Sequence, residues 1–416
     1  MNWKAPLLCL LLLGAGTGAP AQESESDPSR LYGRLETTDG SVYEGFIRWD
    51  RNEAGWYDVL HADKPIPERN RRDAERLGWE PERTRNRIEV FGIGITLPDT
   101  RVVVGRSAQS GIRFGHISAL EVRGSSGARL LLKSGEEVEL RGGGDLGASV
   151  DDILVDDRRG GLVELNWRDI RVIDFFPAPP VTSGWGQRVF GTLRTRDGAA
   201  FTGYIVWDMD ELYGSDVLDG DERGRDREIP FSQIRGIERL GSDASRVLLA
   251  GGEAVVLRGS NDVDHGNRDI MVADPALGEV RIEWEAFDRV MFERPPSQHD
   301  SSMFSRAGRL RGTVYARGGE THTGWIRWDN DEEFGWELLD GELVDGVELD
   351  VEFGTVRSIE RAGSDAAVVT LRDGRSFELT GSNDVDAGNR GIYVERSDGT
   401  LILVRWERFE RVEFDG

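Results

Sequence analysis

"GSNDVDHGNRDIMV" (259–272) returns as "GSNDVDAGNRGIYV" (381–394), with three letters changed. The stretch is rich in Gly, Asn and Asp, which are residues that form turns and loops. A structural loop is duplicated whenever its domain is duplicated, whereas a catalytic site is rarely kept twice in one chain. The repeat therefore predicts a duplicated structural unit.

The repeat extends over most of the chain and occurs three times. "GRLETTDGSVYEGFIRWD" (33–50) matches "GTLRTRDGAAFTGYIVWD" (191–208) and "GTVYARGGETHTGWIRWD" (312–329). The second part of each copy aligns with the others without a gap. We predict three tandem domains, separated by segments rich in Pro, Ser and Gly. The predicted domains are residues 32–177, 188–294 and 308–416.

Each copy contains a shorter internal repeat. "LRTRDGAAF" (193–201) resembles "VTLRDGRSF" (369–377), and both have alternating residues followed by Asp-Gly and an aromatic residue. This pattern predicts strands joined by tight turns. The fold class is therefore all-β, with three tandem β domains, each built from two half-repeats of about 50 residues, close to the lower limit for an independent core. We predict that each second half closes with a short helical turn and buried side chains: Trp167, Trp284, Trp406, Ile170, Phe287 and Phe409.

The half-repeat pattern resembles the small five-stranded barrels of the Sm-like and SH3-like type. The chain as a whole, with its two "GSNDVDxGNRxIxV" stretches, is similar to exported bacterial proteins of unassigned function. The resemblance implies a small barrel-type fold for each half. Sm-like proteins commonly bind RNA, but the net charge of −24 repels a phosphate backbone. We therefore expect no nucleic-acid partner.

Residues 1–21 have the pattern of a secretory signal peptide. Lys4 precedes the apolar run 7–13, and Ala19-Pro20-Ala21 supplies small residues before the expected cleavage point. We expect an exported protein, periplasmic or extracellular, with no membrane span after cleavage. The only cysteine, Cys9, would leave with the signal, so no disulfide or thiol nucleophile is expected.

The first copy carries an insertion, the charged segment 61–105. Its part 64–87 is locally basic in an acidic protein. Two readings are open. The segment is a solvated loop, or it is an arm that contacts an acidic partner or an acidic face of the same protein.

A Trp-Asp-x-[Asn/Asp]-Glu motif follows the first hairpin of every copy. Oxygen side chains at alternate positions are typical of calcium loops, although Asp and Asn also stabilise turns. Calcium is thus a possible cofactor, and no other is expected. The associated tryptophans, Trp49, Trp207 and Trp328, either fill the core or stack on sugars. The candidate ligands are Asp50, Asn52, Glu53, Asp208, Asp210, Glu211, Asp329, Asp331 and Glu332.

The repeated Gly-Ser-Asn-Asp stretch predicts a polar clasp. The first copy has Gly147 and Asp151 where the second has Asp264 and Arg268. The acid and the arginine are lost together, as expected of two side chains that bind each other. We predict that the arginine bonds to this acid or to nearby carbonyls, and that Gly266 and Gly388 adopt positive φ. The predicted structural-loop residues are Asp145, Asn261, Asp262, Asp264, Arg268, Asn383, Asp384, Asp386 and Arg390, with Asp145, Asp262 and Asp384 bonding to turn amides.

No catalytic signature is present in the sequence. There is no G-x-S-x-G elbow, no phosphate-binding glycine loop and no H-E-x-x-H motif. We predict a non-enzymatic binding or scaffolding protein of the bacterial envelope, with an envelope protein or a glycan as partner. The alternative is a calcium-assisted glycan or cell-surface binder, and a third hypothesis is a hydrolase with facing carboxylates in one deep cleft.

Overall fold

The computed structural model describes residues 27–79, 87–90, 93–96, 107–181, 183–297, 299–304 and 307–416. These ranges consist mainly of antiparallel strands and contain one α-helix, so the all-β prediction is confirmed. None of the described helices is long and apolar enough to cross a membrane. The predicted signal peptide, 1–21, lies outside the described residues.

The first copy has ten strands that recur in the other copies, and an insertion between its third and fourth recurring strands. The insertion holds α1, β4 and β5. In chain order the elements are β1 (Tyr32–Thr37), β2 (Val42–Arg48), β3 (Val59–Pro65), α1 (Glu68–Arg76), β4 (Arg87–Val90), β5 (Ile93–Thr96), β6 (Ser107–Arg113), β7 (Ile117–Arg123), β8 (Gly127–Leu132), β9 (Glu137–Arg141), β10 (Ile153–Asp157), β11 (Gly161–Leu165) and β12 (Ile170–Phe175).

The second copy repeats the ten strands without the insertion. They are β13 (Phe190–Thr195), β14 (Ala200–Val206), β15 (Val217–Asp221), β16 (Asp226–Pro230), β17 (Ile234–Arg239), β18 (Ser245–Leu249), β19 (Ala254–Leu257), β20 (Ile270–Asp274), β21 (Gly278–Ile282) and β22 (Phe287–Phe292).

The third copy repeats them again. They are β23 (Arg311–Ala316), β24 (Thr321–Arg327), β25 (Leu338–Val344), β26 (Val347–Glu352), β27 (Val356–Arg361), β28 (Ala366–Leu371), β29 (Ser376–Thr380), β30 (Ile392–Glu395), β31 (Leu401–Val404) and β32 (Phe409–Phe414). Single 3₁₀ turns precede the fifth strand of each copy at Phe114–His116, Phe231–Gln233 and Phe353–Thr355, with another at Trp167–Asp169 before β12.

The two half-repeats of a copy are interleaved. In the first copy the strand order is β11-β10-β2-β1-β12-β7-β8-β9-β3-β6. Hairpin β1–β2 thus pairs with β10 from the second half, and β9 from the second half pairs with β3 from the first. The chain crosses between the two five-stranded sets at two connections, β2 to β3 and β9 to β10. Each set therefore contains strands from both halves, so neither half forms a unit of its own.

The third copy has the same strand order, and the second differs only in β15–β16, which form a separate two-stranded sheet. No closed barrel forms among the described strands, in contrast to the barrel-type half-repeats that the sequence resemblance implied. Neither five-stranded set closes on itself, because a strand of one set pairs with a strand of the other, as β12 does with β7. An edge strand of the second copy, β21, also pairs with β26 of the third.

Tryptophans organise the core of every copy. The six predicted core side chains of the closing turns are buried, with Trp167, Trp284 and Trp406 at most 2% exposed, so this prediction is confirmed. The motif tryptophans Trp49 and Trp207 are fully buried, as is Trp328 in the third copy. Their burial places them in the core, where they cannot stack on an external sugar.

Candidate ligand-binding cleft

In each copy, the Trp-Asp-x-[Asn/Asp]-Glu motif and the Gly-rich stretch lie at the two connections where the chain crosses between the five-stranded sets. We call the Trp-Asp-x-[Asn/Asp]-Glu segments (49–53, 207–211 and 328–332) the first exchange loops. The Gly-rich segments (142–152, 259–269 and 381–391) are the second exchange loops. The first lead from hairpins such as β1–β2 to strands such as β3, and the second lead to β10, β20 and β30.

Arginine links the two exchange loops in the second and third copies. Arg268 donates to the buried Asp208 from Nε at 3.0 Å and to Asp210 at 2.6 Å. Arg390 makes the same contacts, to Asp329 from Nε at 2.7 Å and to Asp331 at 2.6 Å. A clasp therefore exists, but its acid lies in the first exchange loop.

Asp264 and Asp386, the acids that the sequence pattern assigned to the arginines, have a local role. Each accepts the amide two residues ahead, from Gly266 at 2.9 Å and from Gly388 at 2.6 Å. The expected positive φ at these glycines is wrong. In the second and third copies, the second exchange loops have positive φ at Gly259, Asp269, Gly381 and Gly391 instead. Glycine suits positions 266 and 388 because an added Cβ would come within 3.1 and 2.9 Å of the aspartate oxygen.

The first copy lacks the clasp. Asp50 still accepts the amide of Asp151 at 3.0 Å, as Asp208 accepts that of Arg268. Arg51 pairs instead with the side chain of Asp151 on the surface. Asn52 stands where the other copies have Asp210 and Asp331. The second acid of the clasp is thus lost together with the arginine.

A second aspartate in each copy fastens the Gly-rich loop to the third strand. Asp145 accepts the amide of His61 at 2.5 Å, Asp262 that of Asp219 at 2.6 Å, and Asp384 that of Asp340 at 3.0 Å. The prediction that these aspartates bind backbone amides is correct, but the amides belong to neighbouring strands. The carbonyls of the same aspartates accept the indole N–H groups of Trp49, Trp207 and Trp328.

Asn261 and Asn383 complete the second exchange loops. Each side-chain amide donates to the clasp aspartate of its own copy, Asp208 or Asp329. The predicted structural-loop residues thus gather around that aspartate in two copies. Nothing in the sequence indicated that these two motifs meet, because about 50 residues separate them.

The glutamates of the first exchange loops are buried beside these aspartates. Glu53 is 1% exposed, and neither of its carboxylate oxygens has a hydrogen-bond partner in the described structure. Burial, with Asp145 and Asp50 close by, raises the pKa of Glu53 well above its usual range. Burial likewise raises the pKa of Glu211 to about 10 and that of Glu332 well above its usual range.

Two clusters of three carboxylates have oxygens within 4.8 Å of one another, close enough to share an ion. In the second copy the calcium candidates Asp208, Asp210 and Glu211 form the cluster. In the third copy the candidates Asp329 and Glu332 are joined by Asp384 of the second exchange loop. Arg268 pairs with Asp208 and Asp210, and Arg390 pairs with Asp329. A guanidinium already supplies the positive charge there, and calcium binding by these residues stays a prediction.

The three copies meet around one large cleft of about 1880 Å³. Asp50 and Asp145 of the first copy line it, together with Glu279 of the second and Asp340 and Asp350 of the third. Among its lining side chains, Asp and Glu outnumber Lys and Arg by fifteen to five. The cleft therefore favours positively charged ligands.

Four titratable side chains from the three copies meet on the floor of this cleft. His61 Nε2 lies 3.0 Å from Glu279 Oε1. Glu279 is the cross-strand neighbour of Asp350, and Asp350 is that of Asp340 on the next strand. One donor atom each of His61, Glu279 and Asp350 lies within 4.8 Å of the others. We call these four residues the junction cluster.

Three side chains of the junction cluster, His61, Asp340 and Asp350, have raised pKa values. Burial alone would lower the pKa of His61, but Glu279 and Asp350 raise it to about 10. Desolvation in the cleft, followed by repulsion from Asp340, raises the pKa of Asp350 well above its usual range. Desolvation also raises the pKa of Asp340, the cross-strand neighbour of Asp350. Two neighbouring carboxyl groups in a desolvated site repel each other when both are ionised.

Buried ion pairs fix the three copies around the cleft. Lys64 of the first copy contacts Glu337 of the third at 2.5 Å, with both side chains at most 8% exposed. Arg188 of the second copy forms a two-pronged pair with Asp58 of the first, at 2.6 and 3.1 Å. Arg113 reaches Glu352 of the third copy at 3.2 Å and the carbonyl oxygen of Asp274 in the second at 2.7 Å.

The described start of the basic insertion packs on the third copy. Asn70 of α1 donates to the carbonyl oxygen of Asn330 at 3.0 Å, and Arg327 donates to Asn70 at 2.7 Å. Arg69 pairs with Glu333 at 2.6 Å. This geometry matches the reading of an arm that contacts an acidic face of the same protein. The part 80–86 lies outside the described residues.

No family model matches this chain, and a search of curated proteins finds no match either.

Proposed function

We propose that the protein is an exported, non-enzymatic binding protein whose cleft takes a cationic ligand. The observation that carries this proposal is the excess of Asp and Glu over Lys and Arg among the cleft-lining side chains. Walls of low dielectric and one sign of charge concentrate ligands of opposite charge. The ligand class is a chain of amino or guanidino groups, either a polyamine or a segment rich in Lys and Arg.

The cleft volume supports an extended ligand. Sites for small molecules usually measure about 300–1,000 Å³, and this cleft measures about 1880 Å³. A single small cation would leave most of the cleft unfilled. An extended chain with several positive charges can reach carboxylates from all three copies.

The buried ion pairs between copies support a preformed site. A site whose walls are fixed before binding avoids the entropic cost of ordering them. Lys64–Glu337 and Arg188–Asp58 join the first copy to the third and to the second, respectively. The three walls of the cleft are therefore held in place by buried contacts between the copies.

The test is calorimetric titration of the full-length chain with spermine and, separately, with a ten-residue Lys/Arg peptide. Glu342→Gln combined with Glu348→Gln removes two cleft-lining charges and should weaken binding at least tenfold. Glu253→Gln combined with Glu378→Gln makes the same charge change at exposed positions outside the cleft. This control should bind like the unmodified chain. Equal loss in both double variants, or no binding of either probe, would refute the proposal.

The second candidate function is a hydrolase. Its specific support is that Asp340 and Asp350 are cross-strand neighbours whose carboxyl groups both line the large cleft. Such a pair can act as general acid and base. Chromogenic peptide, glycoside and phosphoester substrates test it. Turnover that disappears in Asp350→Asn would favour this candidate over the binding protein.

A third candidate, the calcium-assisted glycan or cell-surface binder, has weaker support. The close carboxylates of the first exchange loops favour it, and the arginines on those carboxylates count against it. Calorimetric titration with Ca²⁺ tests it directly. Binding that is lost in Glu332→Gln would identify the third copy as the calcium site.

A further inference from the structure

We propose that the junction cluster binds a divalent transition-metal cation, with His61, Glu279 and Asp350 as ligands and Asp340 as a fourth. The inference rests on the proposed function, because the metal would bind in the same acidic cleft. It adds a specific site and a different ligand. The metal would join one side chain from each of the first two copies to two from the third.

The positions of the donors are compatible with one ion. The donor atoms of His61, Glu279 and Asp350 lie within 4.8 Å of one another. Zinc bonds to imidazole nitrogen and carboxylate oxygen measure about 2.0–2.2 Å, so the ligands of a tetrahedral ion lie about 3.4 Å apart. Binding of one ion would require the three side chains to rotate until their donors approach that spacing. Three of the four residues lie on adjacent paired strands, which fixes their backbones.

The arrangement of charges is an independent reason to expect a cation. Glu279, Asp350 and Asp340 are direct cross-strand neighbours on β21, β26 and β25. Like charges directly opposite each other destabilise a sheet. A row of three acids therefore needs positive charge beside it.

In the second and third copies, the acidic clusters of the first exchange loops obtain that charge from arginine. Arg268 lies on Asp208 and Asp210, and Arg390 lies on Asp329 and Asp331. Within the described residues, no Lys or Arg forms an ion pair with Glu279, Asp340 or Asp350. The imidazole of His61 pairs with Glu279, and the charge of Lys64 acts on Asp340 without forming an ion pair. A bound metal ion would place positive charge directly on this row of acids.

The donor set selects the class of metal. Calcium and magnesium prefer oxygen ligands alone, whereas imidazole together with carboxylates suits zinc and its neighbours among the first-row transition metals. The site is open to the cleft, since His61 is about one-third exposed. A metal ion can therefore enter without unfolding the junction. We take Zn²⁺ as the probe, with Co²⁺ as its spectroscopic substitute.

The experiment uses the full-length chain, treated with EDTA and then separated from it. Calorimetric titration with Zn²⁺ should show one site per chain, and Co²⁺ should give the visible absorption of a low-coordinate ion. Glu279→Gln and Asp350→Asn should each weaken Zn²⁺ binding at least tenfold. His265→Gln is the matched control, because His265 is an exposed histidine paired with Asp243 away from the cleft. It should leave Zn²⁺ affinity and the Co²⁺ spectrum unchanged.

Several results would overturn the site. They are no Zn²⁺ binding by the unmodified chain, binding that survives in both junction variants, and binding lost in His265→Gln. Asp340→Asn guards against a folding defect, because this side chain is open to the cleft. It should keep the far-UV spectrum of the unmodified chain and weaken Zn²⁺ binding at least threefold. Spermine binding by a metal-free chain that takes no Zn²⁺ would overturn the metal site and leave the proposed function intact.

Discussion

The guanidinium of Arg390 lies on the completely buried carboxylate of Asp329, with its Nε 2.7 Å from Oδ2. In the second copy Arg268 holds Asp208 in the same way, but its side chain is 48% exposed, whereas that of Arg390 is 17% exposed. Removing one partner of a buried pair leaves an uncompensated charge and costs about 3–5 kcal/mol. Pairs nearer the surface contribute about 1 kcal/mol or less.

We therefore expect Arg390→Met to lower the free energy of unfolding by about 3–5 kcal/mol, and Arg268→Met to lower it by about 1 kcal/mol. Urea denaturation of the two variants measures both losses. Adding Asp329→Asn to Arg390→Met should restore part of the larger loss, because it removes the unpaired charge. Equal losses at the two positions would show that burial does not set the strength of the clasp.

The first copy can be given the clasp that it lacks. Burial raises the pKa of Asp50, while Asp151 lowers it through its backbone N–H and raises it through its carboxylate charge. Asp151→Arg together with Asn52→Asp recreates the residues of the other copies and should stabilise the chain by about 0.5–1 kcal/mol. Asp152→Arg makes a similar charge change one residue away and should give a smaller gain. Thermal unfolding compares them, and an equal gain would indicate a general charge effect.

The buried carboxyl of Glu53 predicts a pH-dependent stability. Its pKa is raised in the fold, so the folded chain holds a proton that the unfolded chain releases. Stability from this group is fully present below the unfolded pKa, about 4.3, and is lost as the pH rises toward the folded pKa. Glu53→Gln cannot ionise. Its stability relative to the unmodified chain should improve by about 1–3 kcal/mol between pH 5 and pH 8.

Chemical denaturation at the two pH values measures the effect of Glu53→Gln. Glu139→Gln, at an exposed strand position, is the control and should show no such trend. A pH-independent difference between Glu53→Gln and the unmodified chain would mean that Glu53 is ionised in the fold.

His61 contributes a second pH dependence. Its pKa of about 10 lies above the ordinary value of 6.5, since the effects of Glu279 and Asp350 outweigh that of burial. A raised histidine pKa stabilises the fold fully below pH 6.5, and this contribution is lost as the pH rises to about 10. Melting temperatures of metal-free chains from pH 6 to pH 10 should therefore fall less steeply for His61→Gln. Parallel curves for the two chains would show that the protonation of His61 does not contribute to this pH dependence.

Lys64 should matter more than its neighbours in the basic insertion. Its ammonium group lies between Glu337 at 2.5 Å and Glu332 at 3.5 Å, and all three side chains are at most 8% exposed. Lys64→Met leaves two buried carboxylates without their cation and should cost about 3–5 kcal/mol. Arg72→Met removes a charge of the same sign from an arginine that is 75% exposed.

The Arg72→Met control should change stability by less than about 0.5 kcal/mol. Differential scanning calorimetry compares the two variants. A small effect of Lys64→Met would mean that the insertion is not needed to hold the first copy against the third.

The strand-rich fold, the three copies and the buried tryptophans could be predicted from the sequence alone. These features follow from local alternation, turn residues and internal repetition, which can be read without knowing which strands pair. The burial of Trp167, Trp284 and Trp406 was predictable because each recurs at the same place in a repeated pattern. The coupled loss of an acid and an arginine in the first copy also predicted a clasp.

Which side chains contact each other depends on the tertiary structure and could not be predicted from the sequence. Arg268 pairs with Asp208, 60 residues away, because the half-repeats interleave and both exchange loops cross at the same place. The sequence pointed to the nearer Asp264, since short spacing was its only guide. The junction cluster was beyond prediction, because His61, Glu279 and Asp350 come from three copies and occupy different repeat positions. Their proximity depends on how the copies pack, and that packing is set by long-range strand pairing and buried ion pairs.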